Sequence, residues 1–348
     1  MIISRTPVRV SFFGGGTDYP AWYREHGGAV LSTAIDKYSY LSCRYLPPFF
    51  EHRSRVVYSK IELVRHLNEI EHPAVRECLR YMGIDEGVEV HYDGDIPART
   101  GVGSSSSFTV GLLHALYALK GQMPSKLQLA RDAIHVEHKL IGDNVGAQDQ
   151  TAASFGGFNR IEFHPNGGID VQPVVLPRAR ADEFWSHLML VFTGFSRYAT
   201  DIAAKQVAAT PSRTSELRCM QQMVDEGLSI LTGGADLADF GRLLHDSWQL
   251  KRSLTDAIST PIVDDMYAAA RRAGALGGKL LGAGGGGFAL FFVPPEQRCS
   301  VANALHGLTQ VPFGPDSSGS QLIVYQPDET PRPNWQPPSP WRTLTLAA

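Results

Sequence analysis

The 348-residue chain is short of three things: long apolar runs, paired cysteines and blocks of like charge. No stretch approaches the roughly 20 apolar residues that a membrane-spanning helix needs. The first ten residues, MIISRTPVRV, contain no apolar signal-peptide segment either. We therefore expect a cytoplasmic protein without a membrane partner.

Cysteine is scarce, and its spacing excludes two kinds of site. The four residues Cys43, Cys78, Cys219 and Cys299 lie far apart and include no CxxC pair. This argues against both a zinc site and a disulfide framework. The simplest interpretation is buried free thiols in a reducing compartment.

The charges nearly balance, with a formal net charge of −3 and no basic run, so nothing indicates nucleic acid as a partner. What the chain does contain is a 43% share of hydrophobic residues, enough for a large core, and 34 glycines. The length allows two domains or one large one. Many of the glycines fall in three segments, near residues 14, 101 and 284.

The central glycine segment is residues 97–110, PARTGVGSSSSFTV. Residues 88–92 before it alternate as a strand does, and apolar residues after it recur at helical spacing to residue 119. A glycine-rich loop that opens a helix offers free backbone N–H groups and the positive end of the helix dipole to an anion. One serine could merely cap the helix. Four serines with two glycines exceed that need, and they favour a phosphate-binding loop whose hydroxyls can also reach Mg²⁺.

Two carboxylates follow this loop. A helix is predicted from Ser125 to about Ile141, and Glu137 falls within its apolar stripe. A glutamate on an inward face needs a partner, whereas one at the edge of the stripe would be an ordinary surface residue. Asp149 follows in a polar loop. A pair of carboxylates beside a phosphate loop is what Mg²⁺ binding and activation of a nucleophile require.

Apolar patterning also predicts secondary structure in the first third of the chain. Residues 2–13 read as a strand or hairpin arm, residues 29–46 as a further strand and residues 62–82 as mixed helix.

The remaining segments divide the chain. Residues 164–187 are rich in glycine, proline and charge and form the best candidate domain boundary, while residues 329–348 read as a proline-rich tail. Residues 282–287 match G-x-G-x-x-G, but the apolar, strand-like residues 288–293 follow them. A dinucleotide-binding fingerprint must open a helix, so we reject it and expect a second backbone-lined loop.

Together, the three segments resemble the small-molecule kinase superfamily named for galactokinase, homoserine kinase, mevalonate kinase and phosphomevalonate kinase (GHMP). The first reads TPVRVSFFGGGTDY from residue 6, and the third reads KLLGAGGGG from residue 279. The second matches the family pattern P-x-x-x-G-L-G-S-S-A, with Val102 in place of the leucine. The similarity spans roughly residues 1–328.

This resemblance implies an α+β, two-domain GHMP kinase fold. Residues 1–175 would form an N-terminal domain like ribosomal protein S5 domain 2, and residues 185–328 a ferredoxin-like C-terminal domain. The active site would lie between them and use ATP and Mg²⁺. The same resemblance leaves the oligomeric state open between a monomer and a homodimer.

The resemblance also assigns roles to residues. Asp149 would be the base or orienting group on the acceptor hydroxyl, Arg9 would lie beside it, and Ser105 and Glu137 would bind Mg²⁺. Whether Arg99 is structural or faces an anion stays open. The expected nucleotide-binding residues are Pro97, Arg99, Gly101, Val102, Gly103, Ser104, Ser105, Ser106 and Ser107.

The first glycine segment indicates which acceptor such a kinase would use. Galactokinases carry Gly-Glu-His-Thr-Asp where this chain has GGGTD, and the GGGTDYP form resembles bacterial kinases of D-glycero-D-manno-heptose 7-phosphate. The kinase region of L-fucokinase is the alternative, and a non-catalytic sugar and ATP sensor is the rival from another class. The distal phosphate of a heptose phosphate needs a cation, although each candidate could equally be a solvated surface group. The expected acceptor-binding residues are Gly15, Gly16, Thr17, Asp18, Asp149, Gly284, Gly285, Arg197 and Lys251.

Overall fold

The computed structural model describes residues 1–47, 49–85, 87–98, 100–195 and 199–327, except for the side chains of 199–201. Its strands are β1 (Ile2–Phe13), β2 (Gly28–Tyr45), β3 (Ser54–Val57), β4 (Ile61–Val64), β5 (Val88–Gly94), β6 (Phe158–Phe163), β7 (Ile169–Pro173), β8 (Leu188–Phe192), β9 (Gly277–Leu280), β10 (Phe288–Phe292), β11 (Thr309–Val311) and β12 (Gln321–Tyr325). Its α-helices are α1 (Pro20–His26), α2 (Pro73–Tyr81), α3 (Ser104–Leu119), α4 (Lys126–His135), α5 (Gln148–Phe155), α6 (Arg178–Ser186), α7 (Ala199–Ala209), α8 (Thr214–Thr232), α9 (Leu237–Leu254), α10 (Pro261–Arg272) and α11 (Arg298–Ala304). A π-helix spans Val136–Ile141, and short 3₁₀ turns lie at Leu67–Glu69, Thr210–Ser212 and Pro295–Gln297.

The larger sheet is built around β1 and β2. Its strand order is β12-β1-β2-β5-β3-β4, and β6 and β7 extend it from the other half of β2. The 18-residue β2 can serve two neighbours on one edge, because its first residues pair with β6 and its last with β5. The strands predicted at residues 2–13 and 29–46 are confirmed, with β2 beginning one residue earlier.

The smaller sheet is antiparallel in the order β11-β8-β10-β9. All five residues of β10 are buried, as expected for a strand covered on both faces. The glycine segment between β9 and β10 leads into a strand, so the rejection of a dinucleotide fingerprint is confirmed.

Helix α3 begins at Ser104 and packs on β1 and β2, as the serine-rich loop predicts. Ser125 caps α4, its Oγ accepting a hydrogen bond from the backbone N–H of Gln128 at 3.1 Å. The helix predicted to continue to Ile141 does so, but its final stretch is a π-helix. Such wider turns are rare and are often found at functional sites.

Three stretches differ from the sequence-based expectation. The glycine- and proline-rich stretch 164–187 contains β7 and α6, and Phe184 of α6 is fully buried. The segment 62–82, expected to be mixed helix, holds a β-strand and α2. Strand β12 pairs with β1, so the region expected to form the C-terminal domain contributes its last strand to the larger sheet. The exact domain bounds stay a prediction, and the tail at 329–348 lies outside the described residues.

All four cysteines are free, as expected, but only two of them are buried. Cys43 and Cys78 are buried, whereas Cys219 and Cys299 are exposed. Within the described residues, no helix combines the length and apolar character needed to cross a bilayer.

The two sheets share a core of aromatic rings. Phe12 of β1 packs against Phe184 and Phe240 with ring centroids 5.5 Å apart, and Phe240 lies 5.6 Å from Phe292 of β10. Because this core joins β1 to β10, the loops at their ends are held close together. Those loops include the first and third glycine segments, and the second is joined to β1 because the Arg9 N–H donates to the Val102 carbonyl oxygen at 3.0 Å.

Candidate active site

A cleft of about 900 Å³ opens where the three glycine segments meet. It brings together side chains from both sheets and from the helices between them. Of the residues expected from the sequence, those lining it are Arg9, Gly15, Gly16, Asp18, Pro97, Gly101, Gly103, Ser104, Ser105, Ser106, Glu137, Asp149 and Lys251.

Arg9 and Asp149 form a two-point ion pair at the centre of the cleft. The Arg9 Nε and Nη2 atoms donate to the two carboxylate oxygens of Asp149, each at 2.7 Å. Arg9 Nη1 also donates to the carbonyl oxygen of Gly101 at 2.6 Å. Arg9 is only 3% exposed. This fork holds the Asp149 carboxylate in one orientation and ties it to the glycine-rich loop.

Glu137 lies on the π-helix with 2% of its surface exposed. Its Oε2 atom accepts hydrogen bonds from Ser106 Oγ at 2.8 Å and from Gln150 Nε2. Burial raises the pKa of Glu137 to about 7, against the opposing effect of these hydrogen bonds. Its Oε1 atom is buried and has no hydrogen-bond partner among the described residues. An oxygen left free in this way is suited to a hard divalent cation.

Two serines of α3 lie near Glu137. Ser106 makes the hydrogen bond to Glu137, whereas Ser105 is exposed in the cleft that Glu137 also lines. The expected role of Ser105 as a metal ligand with Glu137 stays a prediction.

Asp18 is held by backbone groups at the end of the first glycine segment. It is 1% exposed, and its Oδ1 accepts the N–H of Gly16 at 2.9 Å. Burial raises the pKa of Asp18, and the neighbouring charge of Asp149 adds to that rise. A Cβ at Gly146 would lie 1.7 Å from Asp18 Oδ2, so this close approach requires glycine. Thr17 is structural instead, donating to the carbonyl oxygen of Gly14 at 2.8 Å.

Two buried lysines face these carboxylates. Lys251, at the end of α9, donates to the carbonyl oxygen of Gly282, and burial together with the charge of Arg9 lowers its pKa to about 8. Lys279 of β9 donates to the carbonyl oxygen of Phe12 at 2.9 Å, and burial lowers its pKa well below the usual value. Lys279 is a residue of the cleft that was not predicted from the sequence. The available signal was a lone lysine in the apolar strand that leads into the third glycine segment.

Several expected residues do not line the cleft. Val102 and Ser107 are buried; the Val102 carbonyl accepts the Arg9 N–H, and Ser107 Oγ donates to the carbonyl oxygen of Thr6 at 2.9 Å. Gly284 and Gly285 pack against Ile258 instead. Their places in the lining are taken by Gly282 and Ala283, whereas Arg99 and Arg197 lie outside the described residues.

The glycine segments of the two sheets touch where Gly101 meets Gly282. A Cβ on Gly101 would lie 2.5 Å from the Leu281 carbonyl oxygen, and one on Gly282 would lie 2.5 Å from the Gly101 Cα. Both residues also have positive φ, at 84° and 66°. Glycine is therefore needed on both sides for the loops to close the floor of the cleft.

Aromatic side chains line the other end of the cleft. His72 stacks on Phe108 with centroids 4.7 Å apart, Tyr58 meets His72 edge-on, and Tyr92 packs against Phe108. All four line the cavity. They come from four separated segments, so the sequence offered no spacing by which to find them. Their flat apolar surfaces can receive a planar ring.

Comparison with known proteins identifies the family. The chain matches the models "GHMP kinases N terminal domain" over residues 64–157 and "GHMP kinases C terminal" over residues 231–307. It is 28% identical to a D-glycero-alpha-D-manno-heptose 7-phosphate kinase of Campylobacter jejuni, over 87% of this chain and 93% of that protein. A bifunctional fucokinase/GDP-fucose pyrophosphorylase of Arabidopsis thaliana is 25% identical over 84% of this chain and 30% of its own length.

A solved structure described as a D-glycero-D-manno-heptose 1-phosphate kinase from Bacteroides thetaiotaomicron has the same fold, with a TM-score of 0.76 and 24% identity. The match covers 94% of this chain and all of that one. The two-domain fold with mixed α and β structure is thus confirmed. The chain therefore contains the N-terminal and C-terminal domains of the GHMP kinases and is an ATP-dependent phosphotransferase.

Proposed function

We propose that the protein transfers the γ-phosphoryl group of ATP to the anomeric C1 hydroxyl of D-glycero-D-manno-heptose 7-phosphate. The product would be the 1,7-bisphosphate, on the route to GDP-heptose. The observation that carries the chemistry is the Asp149 carboxylate, held by Arg9 against the glycine-rich loop. The acceptor is supported by the similarity to the Campylobacter jejuni enzyme.

The nucleotide would lie along the cleft from the aromatic end to the start of α3. There, residues 101–106 present backbone N–H groups and serine hydroxyls beside the positive end of the helix dipole. The adenine ring would meet the aromatic side chains. Pro97 lines the cleft between the two and would contact the nucleotide.

Glu137 and the serines of α3 are the residues that would hold Mg²⁺. The unpartnered Oε1 of Glu137 fits an oxygen-liganded cation, with the exposed Ser105 or the hydrogen-bonded Ser106 as second ligand. Bound there, Mg²⁺ would neutralise charge on the phosphates.

Asp149 would orient the acceptor hydroxyl and accept its proton. Phosphoryl transfer depends mostly on positioning and electrostatic stabilisation, so a carboxylate fixed at two points can contribute without being a strong base. Arg9 keeps that carboxylate in place and adds positive charge near the transferring group.

The acceptor would lie between Asp18 and the two buried lysines. Asp18 would bind a sugar hydroxyl beside Gly15 and Gly16. Burial disfavours the charged forms of Lys251 and Lys279, and a phosphate on the sugar would stabilise those forms. Arg197 stays a predicted third cation. We place the reaction in the cytoplasm, where ATP is available.

The test is kcat/KM, by ADP release, for heptose 7-phosphate against unphosphorylated heptose and L-fucose. We expect the phosphorylated heptose to be preferred, and Lys251→Met to weaken that preference while the exposed Lys120→Met leaves it unchanged. Asp149→Asn should lower kcat for every acceptor by roughly 10²-fold or more.

Equal or better use of L-fucose would move the protein to the fucokinase branch and leave the kinase chemistry intact. Full turnover in Asp149→Asn would contradict the role of that residue. No ADP release with any sugar would favour a non-catalytic sensor.

A further inference from the structure

A second cavity, of about 220 Å³, lies among α1, α4, the π-helix and the β6–β7 hairpin. Its lining contains five nitrogen-bearing side chains, Arg24, Arg131, His135, His138 and Lys139, and no acidic residue. The proposed phosphoryl transfer uses none of them. The cavity is separate from the cleft, although Glu137 of the cleft and His138 of the cavity are consecutive.

The local fold explains why these side chains share one concavity. His135 follows Arg131 by four residues, and His138 and Lys139 follow His135 by three and four, so they form a stripe on one face of α4 and the π-helix. Arg24, from the last turn of α1, completes the cavity from the other side.

The three permanent cations of this cavity lack acidic partners. No ion pair joins Arg24, Arg131 or Lys139 to a carboxylate in the part of the chain that the structure describes. Nearby Arg160, by contrast, pairs with both Glu162 and Asp225. A single solvated cation is common on a surface. Three cations sharing one concavity without an acid make a locally positive site in a chain whose net charge is −3.

His138 adds a second, independent feature. Its buried Nε2 atom makes no well-aligned hydrogen bond among the described residues, and the polar groups near the ring are the backbone of Val145 and Gly146. A buried polar atom without a well-aligned partner is unfavourable, and an oxyanion in the cavity would provide one. The cavity is also smaller than the roughly 300–1,000 Å³ of pockets for drug-sized ligands, which favours a small ligand over a nucleotide.

We propose that this cavity binds a small phosphate-bearing anion, held by charge-assisted hydrogen bonds from Arg24, Arg131 and Lys139. The ligand would be either inorganic phosphate or the phosphate group of a sugar monophosphate. Both present the same tetrahedral oxyanion to the cations.

The experiment is calorimetric titration of inorganic phosphate into the full chain, with the cleft saturated by Mg²⁺ and a non-hydrolysable ATP analogue. The wild type should bind one phosphate, and the double variant Arg131→Gln/Lys139→Gln should bind it roughly tenfold or more weakly. The control Arg178→Gln/Arg272→Gln also removes two exposed helical cations, and it should bind as the wild type does. Thermal unfolding checks that each variant is folded.

Lys251→Met distinguishes phosphate binding in this cavity from phosphate binding in the acceptor site. That variant should lower the affinity for any phosphate bound in the cleft and leave the affinity of the cavity unchanged. Repeating the titration with glucose 6-phosphate in Lys251→Met shows which source binds more tightly, and binding of either supports the proposal. Phosphate affinity that is equal in Arg131→Gln/Lys139→Gln and the wild type would overturn it. So would the absence of binding by both probes at millimolar concentration. Neither result depends on the acceptor of the kinase.

Discussion

At the scale of single residues, the site is a set of buried charges whose partners come from other elements. Arg9 on β1 meets Asp149 on α5, and Glu137 on the π-helix meets Ser106 on α3. Burial of a charge is unfavourable unless hydrogen bonds and opposite charges compensate for it. Arg9 and Asp149 compensate each other, whereas Glu137 keeps one oxygen without a partner.

Replacement of Glu137 by glutamine should raise the stability of the protein above neutral pH while lowering its activity. Because the pKa of Glu137 is raised to about 7, the folded protein binds more protons than the unfolded chain between the unfolded value, near 4.5, and 7. Protonated Glu137 therefore favours the folded state at low pH, and this contribution to the free energy of unfolding is lost as the pH rises through this window. At pH 8 without ligands, Glu137→Gln should be more stable than the wild type, by at most about 3 kcal/mol. The gain should shrink towards pH 4.5, and kcat should fall steeply. Denaturant unfolding and ADP release measure the two effects.

Glu77→Gln is the matched control, because its effect on the free energy of unfolding should have the opposite sign. Glu77 is also buried, which by itself raises its pKa, but hydrogen bonds from Arg80 and Arg76 outweigh burial and lower the pKa. The Glu77 carboxylate therefore stabilises the fold at neutral pH, and this stabilisation is lost as the pH falls. Glu77→Gln should accordingly be less stable than the wild type at pH 8, and it should retain kcat. Near-wild-type turnover of Glu137→Gln at saturating Mg²⁺ would contradict the metal role.

At the scale of elements, the π-helix and the loop after it connect the parts of the cleft that we propose bind the metal and the acceptor. The π-helix carries Glu137, and the loop at residues 142–147 returns the chain to Asp18. The backbone N–H of Ala147 donates to the Asp18 carbonyl oxygen at 3.0 Å. A change in this loop therefore reaches the acceptor site directly.

Gly146→Ala should damage acceptor binding more than nucleotide binding. The new Cβ would lie 1.7 Å from Asp18 Oδ2, so either the loop or Asp18 must move by more than an ångström. We expect kcat/KM for the sugar to fall by roughly 10- to 100-fold, with the KM for ATP little changed. Gly142→Ala in the same loop is the control, because its Cβ meets nothing within 4 Å while its φ of +82° brings backbone strain without the contact. Equal losses in both variants would mean that any disturbance of the loop, rather than contact with Asp18, is responsible.

At the scale of the whole molecule, the cleft exists only because the two sheets are joined. The shared aromatic core fixes their relative position, and backbone contacts close the floor. Among these contacts, the N–H of Phe288 donates to the Thr100 carbonyl oxygen at 2.9 Å. The same strand therefore positions both the smaller sheet and the loop that leads to the phosphate site.

Gly287→Ala should disturb this junction and affect both stability and catalysis. Its Cβ would lie 2.3 Å from the Thr100 carbonyl oxygen, and its φ is +98°. We expect a loss of about 3 kcal/mol in the free energy of unfolding, together with a lower kcat. Gly307→Ala has a similar φ of +89° with open space around it, so it should lose only about 1 kcal/mol and keep its activity. Similar stability and turnover in the two variants would show that the contact at Thr100 is unimportant.

Much of the fold could be predicted because its signals are local. The strands at 2–13 and 29–46, the helix beginning at Ser104 and the cap at Ser125 follow from periodicity and capping chemistry over a few residues. The stretch 164–187 shows the limit of local signals, because it contains β7 and α6, although the domain boundary expected there stays a prediction. Its composition is typical of a linker, but tertiary packing of Phe184 makes part of it a core helix.

What the sequence determined by itself was the kinase family and the residues that we propose for its chemistry. The three glycine segments, Glu137 and Asp149 could be named because glycine and charge patterns are written along the chain, and Arg9 because the first segment resembles the family. Only the tertiary structure decided that Ser106 meets Glu137, that Lys279 enters the cleft and that Gly284 lies outside it. These choices depend on the direction of each side chain within a helix, strand or crossing loop. That direction is set by packing between segments that lie tens to hundreds of residues apart, which no local pattern contains.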